Sequence, residues 1–324
     1  MMDKTTATTE VTNRGRLKER VYVNLGENEI AHGYKLCRKI AKESFGPRLW
    51  PFLNLPGNER RGIDTILFVI DHGMKAYRLE KPGSQISFDE INDAREDLND
   101  ANCGKFLSPE WGAVHDTMQR FQIPKQFMFD FFEGLDHALR FGQPQTIDNV
   151  RTLASRLGGS PFAAMVKVMG VTKADYEIAA VECGQALLMT EWLAQCRSDA
   201  MYGRHWLAKA DLESAGCTLS NLTANTHSKP VDYLVRLYSH YLEKQFQHVV
   251  TLLPHLEFDC ARSVTAMIGN AWRTILKLQR SPELLFKPDG AVTGSDHFNA
   301  KVRFLLGLKD ELPFAMTADH GAHH

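Results

Sequence analysis

No two cysteines in this sequence have CxxC spacing; Cys37, Cys103, Cys183, Cys196, Cys217 and Cys260 are scattered along the chain. That spacing argues against a zinc-ligand cluster and a disulfide framework, leaving reduced and mostly buried thiols as the expectation. Excess charge of one sign is also lacking. A formal net charge of −1 offers no general attraction to nucleic acid or to an anionic membrane surface. No apolar run approaches the ~20 residues that a membrane span requires. The opening stretch, MMDKTTATTEVTNRGRLKER, is polar and has no apolar signal-peptide core, so a cytoplasmic location is expected. GxGxxG, Walker and GxSxG loops and the HExxH pair are missing, which removes any sequence basis for nucleotide or hydrolase chemistry.

What is present is a globular composition, 44% hydrophobic and 24% charged, in 324 residues. That length can bury one large core. From Ala31 onward the apolar spacing is helical. Ile63, Ile66, Leu67 and Ile70 mark one buried face; Phe127, Phe131 and Leu135 mark a second; Tyr233, Leu234, Leu237, Tyr241 and Leu242 mark a third. Stop signals fall at Pro56-Gly57, Pro82-Gly83, Gly142-Gln143-Pro144, Gly158-Gly159 and Pro288-Asp289-Gly290. The spacing predicts an all-α fold, one domain over residues 26–310, with a disordered tail at 1–25 and a flexible one at 311–324. The acidic run from Asp89 to Asp100 reads as a solvated helix or loop.

Three stretches, taken in order, resemble squalene and phytoene synthases over roughly residues 30 to 305. The first is Ser44-Phe45, then Leu55-Pro56, then Arg60-Arg61 leading into an apolar helix. The second runs from Val168-Met169-Gly170 through Gly184, Ala186, Thr190, Leu193, Asp199, Gly203, Arg204 and Leu207. The third comprises Leu253-Pro254, Ala261-Arg262, Trp272-Arg273 and Ile275-Leu276, ending near Lys301. The resemblance implies a single-domain, isoprenoid-synthase-type helical bundle around a central cavity that takes prenyl diphosphates. It also implies two helices carrying DxxxD motifs, whose aspartates hold Mg²⁺ and through it the diphosphate.

Those motifs are largely gone. Counted from Arg60-Arg61, the first becomes Met74-Lys75-Ala76-Tyr77-Arg78, with Asp71 nearby. The second becomes Gln195-Cys196-Arg197-Ser198-Asp199, and Glu191 stands where the family has an asparagine. Residues 191, 195 and 199 share a helix face, and its two acids lie roughly 12 Å apart along the axis. The resemblance then suggests Lys75, Arg78, Arg204 and Ser44 as diphosphate contacts, with Lys75 and Arg78 acting as fixed charges in place of a metal bridge. Lys75 and Arg78 are equally readable as a solvated helix face. Asp199 and Gln195 are the remaining candidate metal ligands, and Glu191 and Asp199 the candidate catalytic acids. Phe45, Met74, Met165, Leu188 and Trp192 are candidates to line a prenyl and acceptor pocket, although such a stripe is also ordinary core.

Condensing two long prenyl diphosphates would need both aspartate motifs. Ionising one donor and passing the cation to an aromatic ring would need less. The expectation is therefore a squalene-synthase-like prenyltransferase of secondary metabolism, moving a dimethylallyl group onto a small aromatic acceptor such as a carbazole. Mg²⁺ is the implied cofactor, and a homodimer is compatible with the resemblance. A divergent head-to-head synthase and a non-catalytic partner protein with this fold are the alternatives.

Overall fold

The computed structural model describes residues 6–11, 17–79, 89–171, 175–224 and 227–287, and the helical spacing resolves there into twelve α-helices. In chain order they are α1 (Glu27–Phe45), α2 (Gly57–Leu79), α3 (Asp89–Asn102), α4 (Pro109–Arg120), α5 (Lys125–Phe141) and α6 (Ile147–Ala154). Then come α7 (Ser160–Val168), α8 (Asp175–Met201), α9 (Lys209–Ser214), α10 (Leu219–Thr223), α11 (Lys229–Val249) and α12 (Phe258–Arg280). Short 3₁₀ segments span Gly46–Phe52, Val250–His255 and Pro282–Phe286. The fold is all-α. The turn signals at residues 82–83 and 288–290, and the tail at 311–324, lie outside the described residues.

Helix α8 occupies the middle of the bundle. Ala180, Cys183, Ala186, Met189, Trp192, Leu193, Ala194, Cys196 and Ala200 are all buried on it, more than one face's worth. A helix apolar around most of its circumference belongs inside a bundle, and α8 packs on α7, α11 and α12. The outer helices are one-sided. On α12, Cys260, Val264, Ile268, Ile275 and Leu278 are buried. On α11 the buried face is Val231, Leu234, Val235, Tyr238, Leu242 and Phe246. That face is rotated from the one predicted, because Tyr233 is exposed while Tyr238 is fully buried. Tyr238 is tolerated there because its hydroxyl accepts a hydrogen bond from the Ala208 amide at 2.8 Å. Each large apolar side chain buried this fully contributes roughly 1.5–3 kcal/mol.

Two further predictions of local structure differ from what is observed. Gly158-Gly159 does not stop a helix; it lies in a π-helical turn, Ser155–Gly159, that joins α6 to α7. A Cβ on Gly184 would sit 2.4 Å from the Gly158 carbonyl oxygen, and one on Gly158 would sit 2.7 Å from the Gly184 carbonyl oxygen. The glycines are there so that two backbones can touch.

The second difference concerns the segment expected as a tail at 1–25. Thr6–Val11 (β1) and Leu17–Tyr22 (β2) pair as antiparallel strands. Thr and Val are β-branched and favour extended backbone. Arg20 then fixes the hairpin to α3, reaching Glu96 at 2.9 Å, Asp97 at 3.0 Å and Asp100 at 2.7 Å. Tyr22 donates to Asp100 at 2.9 Å. The acidic run is thus helical, and part of it is a docking face for Arg20 and not merely a solvated surface.

Candidate active site

The C-terminal half of α8 organises the candidate site. Glu191, Gln195 and Asp199 succeed one another at four-residue steps, and the helix ends at Met201. Gly203 takes φ 72°, in the left-handed region. The Gly203 amide returns to the Ala200 carbonyl at 3.1 Å and the Arg204 amide to the Asp199 carbonyl at 2.8 Å. Such a glycine-based stop satisfies the last carbonyls and turns the chain sharply back. Arg204 and Trp206 are thereby returned towards the helix they have just left.

Trp206 lies flat on Trp192, with ring centroids 5.1 Å apart and planes 6° from parallel. Tyr77 of α2 reaches the same ring, centroid to centroid 6.4 Å, at 37°. The indole N–H of Trp206 donates to the Asp199 carboxylate, which Arg204 also attracts. Burial nonetheless dominates. It pushes the Asp199 carboxyl from an ordinary 3.8 up to about 6, Glu191 adds to the rise, and Arg204 and Trp206 only moderate it. Burial also raises the Tyr77 hydroxyl, with Arg204 opposing and Asp199 reinforcing, so Tyr77 stands close to both charges. A carboxylate poised near neutrality beside three aromatic rings is suited to accepting a proton next to a cation that π faces can stabilise.

One turn earlier, Glu191 is already engaged. Its Oε1 receives Arg48 Nη2 at 2.6 Å and the Gln195 amide nitrogen at 3.1 Å. Arg48 comes from the 3₁₀ segment that follows α1. On α2, Lys75 binds Asp71 at 2.6 Å; the Asp71 side chain is only 6% exposed, whereas Lys75 is open to solvent. Arg78 lies in the last turn of α2, and its side chain is outside the described residues.

The structure thus gathers Trp192, Asp199 and Arg204, with Glu191 and Gln195 on the same helix face. Other predicted residues are dispersed. Ser44 is exposed in the last turn of α1, Phe45 and Met74 pack partly against the core, and Met165 is buried within it. Leu188 lies against Gly158 in the π turn. Sequence reasoning missed Arg48, Tyr77 and Trp206. A weak signal existed for Tyr77, an aromatic residue inside the altered first motif.

The geometry defines the class: an all-α isoprenoid-synthase fold with acids and cations facing an aromatic wall. The sequence profile of squalene/phytoene synthases matches residues 80–301, and the chain belongs to that family. It is 20% identical over 266 residues to phytoene synthases of Mycobacterium tuberculosis and Mycobacterium bovis, covering 80% of this chain and 85% of theirs. Among solved structures it is similar to a dehydrosqualene synthase in complex with ligand, with a TM-score of 0.76 at 18% identity, covering 87% of this chain and 98% of that one. Squalene synthase HpnC of Alicyclobacillus acidocaldarius gives a TM-score of 0.72 at 15% identity, covering 79% and 96%. At such identities the structural likeness concerns the fold. No helix among the described residues is long and apolar enough to cross a membrane.

The donor set does not fit Mg²⁺ held as paired aspartates would hold it. Glu191 is neutralised by Arg48, Gln195 turns its NH₂ onto Glu191, and Asp199 is hydrogen-bonded by an indole. Among the described residues, no group of three His, Cys, Asp or Glu side chains is arranged to hold a metal ion. A metal of this charge needs several free oxygen donors, and the acids on the α8 face are instead met by the Arg48 guanidinium, the Gln195 amide and the Trp206 indole.

Proposed function

We propose that this protein transfers a short prenyl group, such as dimethylallyl, from its diphosphate to an electron-rich aromatic ring of the carbazole type, in secondary metabolism. The observation that carries this reading is the parallel Trp192–Trp206 pair with Tyr77 beside it, hydrogen-bonded through Trp206 to Asp199. Flat π faces stabilise an allylic cation and give a flat acceptor a surface to stack on. The allylic C–O bond breaks and its electron pair leaves on the diphosphate, which Lys75, Arg78 and Arg204 hold. The acceptor's π electrons form the new C–C bond. Its ring proton then passes to the Asp199 carboxylate, and aromaticity returns. Asp199 takes this role in preference to Glu191 because Trp206 ties its carboxylate to the aromatic rings.

The test is incubation of the full chain with prenyl diphosphates of several lengths, with and without Mg²⁺, and a pool of indoles and carbazoles. Mass spectrometry follows the products. An acceptor heavier by one prenyl unit is the expected result. A hydrocarbon made from donor alone would refute it in favour of head-to-head condensation. No product from folded protein would refute it in favour of a non-catalytic partner, a reading that the internally paired Lys75 and Arg48 also support.

A further inference from the structure

Arg48 is a cation beside α8 that neither the sequence motifs nor the mechanism above employs. It projects from the 3₁₀ segment Gly46–Phe52, whose two ends differ. The far end is anchored: Trp50 and Phe52 are buried, and the Pro51 carbonyl accepts the Ser263 hydroxyl of α12 at 2.7 Å. The near end begins at Gly46, with φ 35°. Arg48 is therefore offered by a turn anchored just beyond it, with its side chain half exposed to solvent. Its partner Glu191 lies on the face of α8 that carries Asp199, and its charge is felt there.

The pair is short but poorly sheltered. The Arg48 side chain is 52% exposed and that of Glu191 37% exposed. An ion pair so open to water is weakly held, whereas a guanidinium binds a diphosphate through two parallel, charge-assisted hydrogen bonds. Glu191 offers one oxygen, already shared with Gln195. A diphosphate entering beside α8 is the stronger acceptor.

We infer that Arg48 is a diphosphate-binding residue held in reserve by Glu191, and that the incoming diphosphate takes Arg48 from it. The inference rests on the prenyl-diphosphate reading above. Glu191 is then a resting counter-ion that positions Arg48 and competes with substrate, and not a proton acceptor. Releasing Arg48 leaves an uncompensated carboxylate near Asp199, which makes Asp199 a better base once the leaving group has been captured.

The two partners should therefore act in opposite directions on affinity for inorganic pyrophosphate. Titration calorimetry of the full chain in EDTA, with pyrophosphate as the probe, measures this without turnover. Arg48→Ala should weaken binding roughly tenfold to a hundredfold, as expected for loss of a charged hydrogen-bond donor. Arg48→Lys should recover part of it. Glu191→Gln, which removes the competitor and keeps the shape, should tighten binding several-fold. Arg48 is exposed and Glu191 partly so, and unchanged thermal unfolding would show that the variants are folded. Unchanged affinity in Arg48→Ala, weaker binding in Glu191→Gln, or no pyrophosphate binding by the unmodified chain in EDTA would each overturn the proposal. Its fate separates from that of the proposed function. Aromatic prenylation with an indifferent Arg48→Ala would remove the reserve cation and keep the reaction. Opposed affinity changes without a prenylated acceptor would do the reverse.

Discussion

Replacing Asp199 by Asn should make the protein more stable and less active at once. Its carboxyl is raised from 3.8 to about 6, a net figure that already includes the help of Arg204 and Trp206. At ~1.4 kcal/mol per unit, such a shift would cost about 3 kcal/mol in a fully sheltered site; Asp199 is only partly buried, so ~1–2 kcal/mol is the working value. The sign follows from proton uptake. As pH falls from about 6 towards 3.8, the folded chain takes up a proton that the unfolded chain does not yet hold. The contribution of Asp199 to stability therefore improves as pH falls through that window, and is worst above it. Urea denaturation at about pH 8 should find Asp199→Asn more stable than the unmodified chain by ~1–2 kcal/mol, with the margin shrinking to nothing near pH 4. Asp64, also raised to about 6 by burial, is common to both proteins and cancels in the difference. Prenyl transfer should fall roughly 10²–10⁴-fold, the usual loss for a missing general base. A variant less stable than its parent at about pH 8, or a margin independent of pH, would refute the electrostatic reasoning.

Lys75→Ala should cost about 1–3 kcal/mol, more than an exposed ion pair would, because it leaves the buried Asp71 carboxylate without its cation. Adding Asp71→Asn should restore most of that loss in urea denaturation. Arg20→Ala removes the guanidinium that three acids of α3 share, so the β1–β2 hairpin should become cleavable by protease under native conditions. Gly184→Ala drives a methyl group to 2.4 Å from a backbone oxygen, and should lower stability by 1–3 kcal/mol or more in thermal unfolding.

The helices were legible because their signals are local. Of the face expected on α2, Ile63, Ile66 and Leu67 are buried and Ile70 is partly buried, and Gly142 ends α5 with φ 60°. The failures share a cause, since each depends on what another segment brings near. Gly158-Gly159 looks like a stop until α8 is seen pressing against it. Tyr233 and Tyr238 lie on different faces of α11, and which tyrosine turns inward depends on distant partners such as the Ala208 amide that meets Tyr238. Glu191, Gln195 and Asp199 were recognisable as one face because four-residue spacing is a property of the helix itself. The partners of that face were not. Arg48 meets Glu191 across more than a hundred residues, and the Trp206 stack exists only because Gly203 turns the chain back.

The contact between Gly184 and Gly158 also bears on how such a chain is able to change. Where two helical segments meet through peptide groups, their spacing is set by atoms that every residue type shares. Side chains elsewhere on α8 carry correspondingly less of the task of locating it. Glu191, Gln195 and Asp199 can therefore be exchanged one at a time without moving the scaffold that presents them. New chemistry becomes accessible by single steps on that face, provided the two glycines stay where they are.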